Sequence, residues 1–452
     1  MSSAFVRPRR SDLQAMIRLA GPVVVVQVGL MLMGVVDTMV VGRLSAQALA
    51  AVALGNLIVL SVAAFGMGLL MALDPLVAQA VGARDTEAIR RAVQRGMVLA
   101  AAITIPSALV LMPGEYVLPL LRQPAEIIPV ASGYARICIA GLLPFFMFVV
   151  LRQTLQALEK VRPIVLTIIV ANIFNLGADY VLVFGWGPVP AMGALGSAWA
   201  TTASRWLLLF VLIFMARAKI VPLMWPFRAD SLGRGPLWQT FKLGAPIGIQ
   251  IQLEFAVFGV VALLMGGFGT IEMAAHQVAV NLASLTFMVP LGVSAAAAVR
   301  VGHAVGAQDP EGIQRATSAA LVCGAGFMTM TAALFLFAPM PLAAAYTPVA
   351  EVLALAVVFI PIAGFFQVFD GLQVVSAGIL RGLGDTRAPV VVNLLGFWLV
   401  GMPVSLALAF PLGFGPAGLW WGLVAGLGAV AVFLLLRIRR QLRRDQKRVE
   451  VE

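Results

Sequence analysis

A thirteen-residue stretch at Ala80–Ala92, AVGARDTEAIRRA, returns at Ala304–Ala316 as AVGAQDPEGIQRA with nine positions identical. The same offset of 224 lays Leu19–Pro22 over Leu243–Pro246, Gly42 over Gly266 and Ala50–Ala51 over Ala274–Ala275. Shared low complexity can align apolar residues, but not Asp, Glu and Arg in register. A fixed period of this length means a duplicated structural unit, here of roughly 220 residues. Whatever the first half folds into, the second half repeats.

That unit is built from spanning helices. Twelve apolar runs, at about 15–41, 46–72, 93–112, 127–151, 163–184, 193–215, 241–265, 272–299, 317–338, 350–379, 388–411 and 417–436, each reach the ~20 residues needed to cross a bilayer. Turn chemistry such as Gly185–Pro188 and Gly413–Pro416 separates them. Only 11% of the chain is charged and 61% is hydrophobic, against about 25% charged in a soluble domain. The fold class is an all-α polytopic membrane protein. Six helices per half is an even number, so both halves enter the membrane in the same orientation, as repeats about an axis along its normal. The expected domains are a first six-helix lobe at 1–216, a loop at 217–240, a second lobe at 241–436 and a basic tail at 437–452.

The net charge of +11 reads as orientation rather than nucleic-acid binding. With the N-terminus inside, 27 of the 31 Lys and Arg lie in the cytoplasmic segments near 7–18, 84–95, 152–162, 217–242, 300–315, 381–387 and 437–448. Arg43 and Arg122 lie outside, and Arg136 and Arg205 within or near helices. Both termini are therefore expected in the cytoplasm of a cell (inner) membrane protein, with the basic tail beside anionic lipid. Arg7–Arg10 precede an apolar run too long for a signal peptide. Cys138 and Cys323 both sit in apolar runs and suggest neither disulfide nor metal site. There is no Walker A sequence, GxSxG, CxxC or HExxH, so ATP-driven transport and familiar hydrolase chemistry have no support.

Chemistry is sought where polarity is expensive. An acid deep in a spanning helix costs about 2.5–3.5 kcal/mol on insertion scales, and only Asp37, Asp179, Glu254 and Asp370 lie inside runs, away from their ends. Asp37 comes five residues before Gly42 and Asp179 six before Gly185, on helices that run the same way, which places both at one level in the outer part of the membrane. Asn175 is one turn before Asp179. Thr201, eight residues into a helix running back, lies about 12 Å along it, near that level. Two carboxylates, an amide and a hydroxyl form an all-oxygen set suited to a hard cation such as Na⁺. In the second half, Glu254 and Asp370 lie at mid-depth with no basic residue close by in sequence. Paired in low dielectric, they would share a proton or hold a cation. His276 reads as packing and His303 as a loop residue. Pro22, Pro246 and Pro361 predict kinks.

Gln79–Ala83 (QAVGA) and its copy, the Pro22/Pro246 pair and Gly378–Thr386 (GILRGLGDT) resemble the multidrug and toxic compound extrusion (MATE) transporters over nearly the whole chain. The resemblance implies two six-helix lobes set as a V and opening alternately to either side. It implies a xenobiotic antiporter, not an enzyme, exporting small amphipathic or cationic compounds against Na⁺ or H⁺, with no cofactor. Carried over by position, Asp37, Asn175, Asp179 and Thr201 match the cation site of the first lobe. Glu254 and Asp370 match the coupling or substrate acids of the second lobe in the NorM-like branch. Where that branch carries a tyrosine one turn before the second acid, this chain has Phe366.

Three other readings are weighed. A lipid-linked sugar flippase of the same superfamily would be expected to add helices and a basic cavity, whereas the buried charges here are acidic apart from Arg136 and Arg205. A membrane enzyme using Asp37 and Asp179 as acid and base would be expected to show a headgroup or metal motif. A major-facilitator antiporter also has six plus six helices, but its basic loop motif is not what stands at 79–96. The expected partners are substrate and membrane lipid, with a monomeric chain.

Overall fold

Inside a bilayer a backbone can satisfy its own N–H and C=O groups only by coiling, so an apolar run becomes a helix. The computed structural model describes residues 6–451, and among these there is no β-strand, only an isolated bridge between Trp186 and Val189. The first half comprises α1 (Arg10–Val41), α2 (Ala46–Leu70), α3 (Leu73–Gly82), α4 (Thr86–Leu111), α5 (Gly114–Leu120), α6 (Ile128–Ile139), α7 (Leu142–Ala157), α8 (Arg162–Phe184) and α9 (Ala194–Met224). A 3₁₀ turn at Ala229–Leu232 leads to α10 (Arg234–Phe268), α11 (Thr270–Gly306), α12 (Pro310–Phe337), α13 (Pro339–Ala344) and α14 (Ala350–Gly382). Then α15 (Arg387–Asn393) continues through a π-helical stretch, Leu394–Gly401, into α16 (Met402–Ala409), and α17 (Pro416–Gln441) ends the bundle.

Among the described residues eleven helices are long and apolar enough to cross a membrane, with α2 and α3 counted as one span. The pair α6 and α7 makes a twelfth, bent by 51°. That bend falls where a proline meets a tertiary contact. Pro144 has no N–H to give the carbonyl four residues back, which is Ala140 at the break, and the indole Nε1 of Trp206 donates to that carbonyl instead at 3.1 Å. The kinks expected at Pro22, Pro246 and Pro361 do not break their helices: α1, α10 and α14 each run through their proline as one element.

The duplicated stretch folds the same way twice. Arg84 and Gln308, equivalent positions, are left-handed residues at φ 56° and 53° that terminate α3 and α11. Asp85 and Asp309, the next residues, cap α4 and α12 by accepting from Ala88 N and Gly312 N, each at 2.9 Å. The repeat thus encodes a helix stop, at positions where the residues differ but the left-handed backbone is shared, followed by a helix start at the identical Asp.

The chain forms two compact units that interleave the two halves of the sequence. One contains the chain up to Val24, Ala78–Arg84 and Ile249–Val449, and the other Val25–Val77, Asp85–Gly248 and the chain from Glu450. The divisions inside α1 and α10 fall at Val24 and Gly248, which are 224 residues apart. In the first unit α11 meets the start of α1 at Gly292, where a Cβ would stand 3.0 Å from Val24 N and 3.3 Å from Ala20 O. In the second, α10 meets α2 at Gly248, where a Cβ would stand 2.8 Å from Phe65 O. Glycines let these backbones approach as small residues do in membrane helix pairs.

Candidate functional site

Four polar residues from three helices converge in the second unit. Asp37 comes from α1, Asn175 and Asp179 from one face of α8, and Thr201 from α9. Asp37 Oδ1 accepts from Asn175 Nδ2 at 3.1 Å, and Oδ2 accepts from Thr201 Oγ1 at 2.8 Å. Asp179 lies against Asp37 and beside Ser197, and its side chain is fully enclosed, at 0% exposure. Neither of its carboxylate oxygens has a hydrogen-bond partner, and neither have Asn175 Oδ1 and Ser197 Oγ, all four buried. Tyr134 of α6 adds a buried hydroxyl next to Thr201 and Asp37.

Buried polar atoms are nearly always paired, so four orphaned oxygens around a carboxylate pair are an acceptor-rich cluster in want of a donor or a cation. Two carboxylates in contact repel each other unless a proton or a cation sits with them. The donor set is all oxygen, which suits H⁺ or a hard cation rather than a thiophilic metal. Among the described residues no three His, Cys, Asp or Glu are gathered in metal-binding fashion. Sequence reasoning did not single out Ser197 or Tyr134. A hydroxyl in an apolar helix costs little and leaves no trace in hydropathy; the one available signal was Ser197 standing one turn before Thr201.

A second cluster lies in the first unit. Glu254 Oε1 accepts from Gln250 Nε2 at 3.1 Å, from Gln373 Nε2 at 2.7 Å and from Asn393 Nδ2 at close range. Asp370, on α14, is within electrostatic reach of Glu254. So is Arg381, whose Nη2 donates to Ser294 Oγ at 3.1 Å. The sequence shows no basic residue near these acids; three turns of α14 beyond Asp370, the fold brings Arg381 within reach of Glu254. Asn393 is the last residue before the π-helical stretch, an irregularity that recurs where helices carry function. Phe366, one turn before Asp370, is 2% exposed and packs edge-on against Phe258 and Trp420, at 6.0 and 5.8 Å between centroids. It offers the acids no oxygen. His276 packs on the same Trp420 at 5.5 Å.

The comparisons agree with this architecture. The MatE family model matches residues 22–181 and again 246–406, so the two matches begin at the offset of the duplicated loops. The chain is 38% identical to the probable multidrug resistance protein NorM of Mesorhizobium japonicum, over 97% of this chain and 95% of that one. It is 34% identical to the multidrug resistance protein PmpM of Pseudomonas aeruginosa, over 96% and 93%. Of solved structures, the eukaryotic MATE transporter AtDTX14 superposes with a TM-score of 0.86 at 26% identity, covering 96% of this chain and 98% of that one. The bent form of the Vibrio cholerae transporter VcmN, 19% identical over 96% and 97%, matches at 0.84 and speaks to the fold alone. With twelve spans in a duplicated chain and relatives matched along nearly its whole length, this multi-pass membrane protein belongs to the MatE family.

Proposed function

We propose that the protein is a secondary antiporter of the NorM-like branch, exporting small amphipathic or cationic compounds, drugs among them, in exchange for Na⁺ or H⁺. The observation that carries the reading is the enclosed Asp37–Asp179 pair with its unpaired oxygens. The names of the relatives, multidrug resistance proteins along their whole length, support the substrate class. The working halves are two pseudo-symmetric six-helix lobes, 1–216 and 241–436, in the cell (inner) membrane with both termini cytoplasmic. The chain works as a monomer among membrane lipids, with no nucleic-acid partner and no cofactor.

The cluster suggests how exchange is driven. Two like charges about 4 Å apart are worth about 4 kcal/mol at an effective dielectric of 20. Turning a two-state equilibrium from 1:99 to 99:1 takes about 5.5 kcal/mol. A cation that neutralises the Asp37–Asp179 pair relieves this repulsion, and it shifts the two-state equilibrium by the amount the repulsion differs between the two conformations. Asn175 and Thr201 hold Asp37 in place. Asp179, Ser197 and Asn175 Oδ1 provide the open lone pairs. Glu254 and Asp370 form a second acidic site for coupling or substrate.

The test is efflux of an ethidium-type dye in inside-out vesicles with Na⁺ and pH gradients imposed separately. Efflux driven by either gradient is the expected result. Efflux driven by neither, in protein shown to be folded, ends the antiport reading, and absence of counterflow in sealed proteoliposomes would move the protein towards membrane enzymes.

A further inference from the structure

The two copies of the duplicated stretch meet each other, and the chain's own tail is seated at the meeting point. A Cβ on Gly82 would fall on the carbonyl of His303, and a Cβ on Gly306 on the carbonyl of Gln79. Both pairs obey the offset of 224, so the contact is reciprocal, as in an isologous interface. Gly302 faces Ala78, its own equivalent, at 2.6 Å from a would-be Cβ to the methyl carbon. This marks the pseudo-twofold point of the crossing. All of these residues belong to one compact unit.

Chemistry breaks the symmetry. Gln79 and His303 are equivalent positions, and Gln79 is wholly buried. Its Nε2 donates to Gly382 O at 2.9 Å, and its Oε1 accepts from the backbone N–H of Val449 at 2.7 Å. The tail is led there by a chain of contacts. Asp385 Oδ2 accepts from Arg437 Nε and Gln441 Nε2, both at 2.7 Å, which anchors the end of α17. Gln446 Nε2 then donates to Gln441 O at 2.6 Å and folds the chain back. Val449 lands with its side chain against Gly384, where φ is +82° and a Cβ would overlap Val449 Cγ2. Glycine at 384 thus serves both the left-handed turn and the seat of the tail.

We propose that the tail from Gln446 to Val449 is a regulatory strap. By engaging Gln79, it holds the crossing of the two duplicated stretches in its closed arrangement. The backbones at Gly82 and Gly306 can part only if Gln79 moves, and Gln79 is tied on one side to the last residue of α14 and on the other to Val449. Releasing the strap shifts the population towards the parted arrangement.

Val449→Pro removes the backbone N–H that reaches the Gln79 side chain and leaves the rest of the chain in place. Deleting the residues after Gln446 removes the strap outright. Hydrogen–deuterium exchange of the full-length protein in nanodiscs, followed at 78–84 and 302–307, reads the crossing directly. Loss of one hydrogen bond predicts exchange about fivefold faster in Val449→Pro, and at least as fast in the deletion, with thermal melting of the helices unchanged. Exchange at both segments unchanged in both variants would overturn the strap. The readout is independent of transport: a wild-type protein that moves no dye would sink the antiport reading and leave this result standing.

Discussion

Thr201 donates a 2.8 Å hydrogen bond to Asp37, while the carboxylate of Asp179 beside it accepts none. The two acids of one cluster therefore stand in different surroundings. Asp37 has both oxygens engaged and is held in position; Asp179 presents two oxygens without a hydrogen-bond partner at an enclosed position. Asp179 is accordingly the acid whose substitution changes the electrostatics with least effect on the framework. Asp179→Asn relieves the like-charge contact. It is expected to melt at or above the wild-type temperature in Na⁺-free buffer at high pH, and to lose dye efflux by tenfold or more. A variant that melts normally and pumps normally would remove Asp179 from the machinery.

Glu254 differs in kind, because three amides converge on one of its oxygens. Glu254→Gln keeps a carbonyl oxygen for those donors, so folding is expected to survive while coupling is impaired. Glu254→Leu strands the amides of Gln250, Gln373 and Asn393, at about 1–3 kcal/mol for each buried group left unsatisfied. The leucine variant is expected to express poorly or melt well below the glutamine variant. Equal melting temperatures would show that the amides do not depend on Glu254.

The reciprocal crossing makes a symmetric prediction. Gly82→Ala and Gly306→Ala each place a methyl group on a backbone carbonyl, and overpacking of that kind costs about 1–3 kcal/mol. The two variants are expected to lower thermal stability by similar amounts. A large effect at one position and none at the other would mean that the two sides of the crossing are not equivalent in energy.

What was legible in the sequence follows from what polarity costs. Acids in apolar helices are dear, so Asp37, Asp179, Glu254 and Asp370 stand out, and helix depth puts Asn175 and Thr201 with the first two. Hydroxyls are cheap, so Tyr134 and Ser197 were silent. Gln250 lies one turn before Glu254 and was readable by spacing, but Gln373, Asn393 and Arg381 reach that acid only through tertiary packing. The repeat was plain because its Asp and its left-handed helix stop are required twice. The sharp bend was not: Pro22, Pro246 and Pro361 carry the same kink signal as Pro144, yet their helices run on, while at Ala140 the indole of Trp206 takes up the freed carbonyl. That partner lies more than sixty residues away in the chain, beyond the reach of any local rule.

The last prediction concerns competition. A cationic substrate and a coupling cation both favour carboxylates, and linkage requires that each weaken the other by the same factor. If the Asp37–Asp179 pair is the common currency, raising Na⁺ or lowering pH reduces affinity for a cationic dye, because each neutralises the charge that the dye senses. Asp37→Asn removes one of the two charges while its amide can still accept from Thr201. It is expected to leave dye affinity lower than wild type at low Na⁺ and high pH, and nearly flat as either is changed. The measurement is dye affinity in detergent across Na⁺ concentrations and pH, on wild type and Asp37→Asn. Dependence on pH alone would name H⁺ as the driver, and dependence on Na⁺ at constant pH would name Na⁺. A wild-type affinity insensitive to both would rule out competition at this pair, and the coupling would then have to be sought at Glu254 and Asp370.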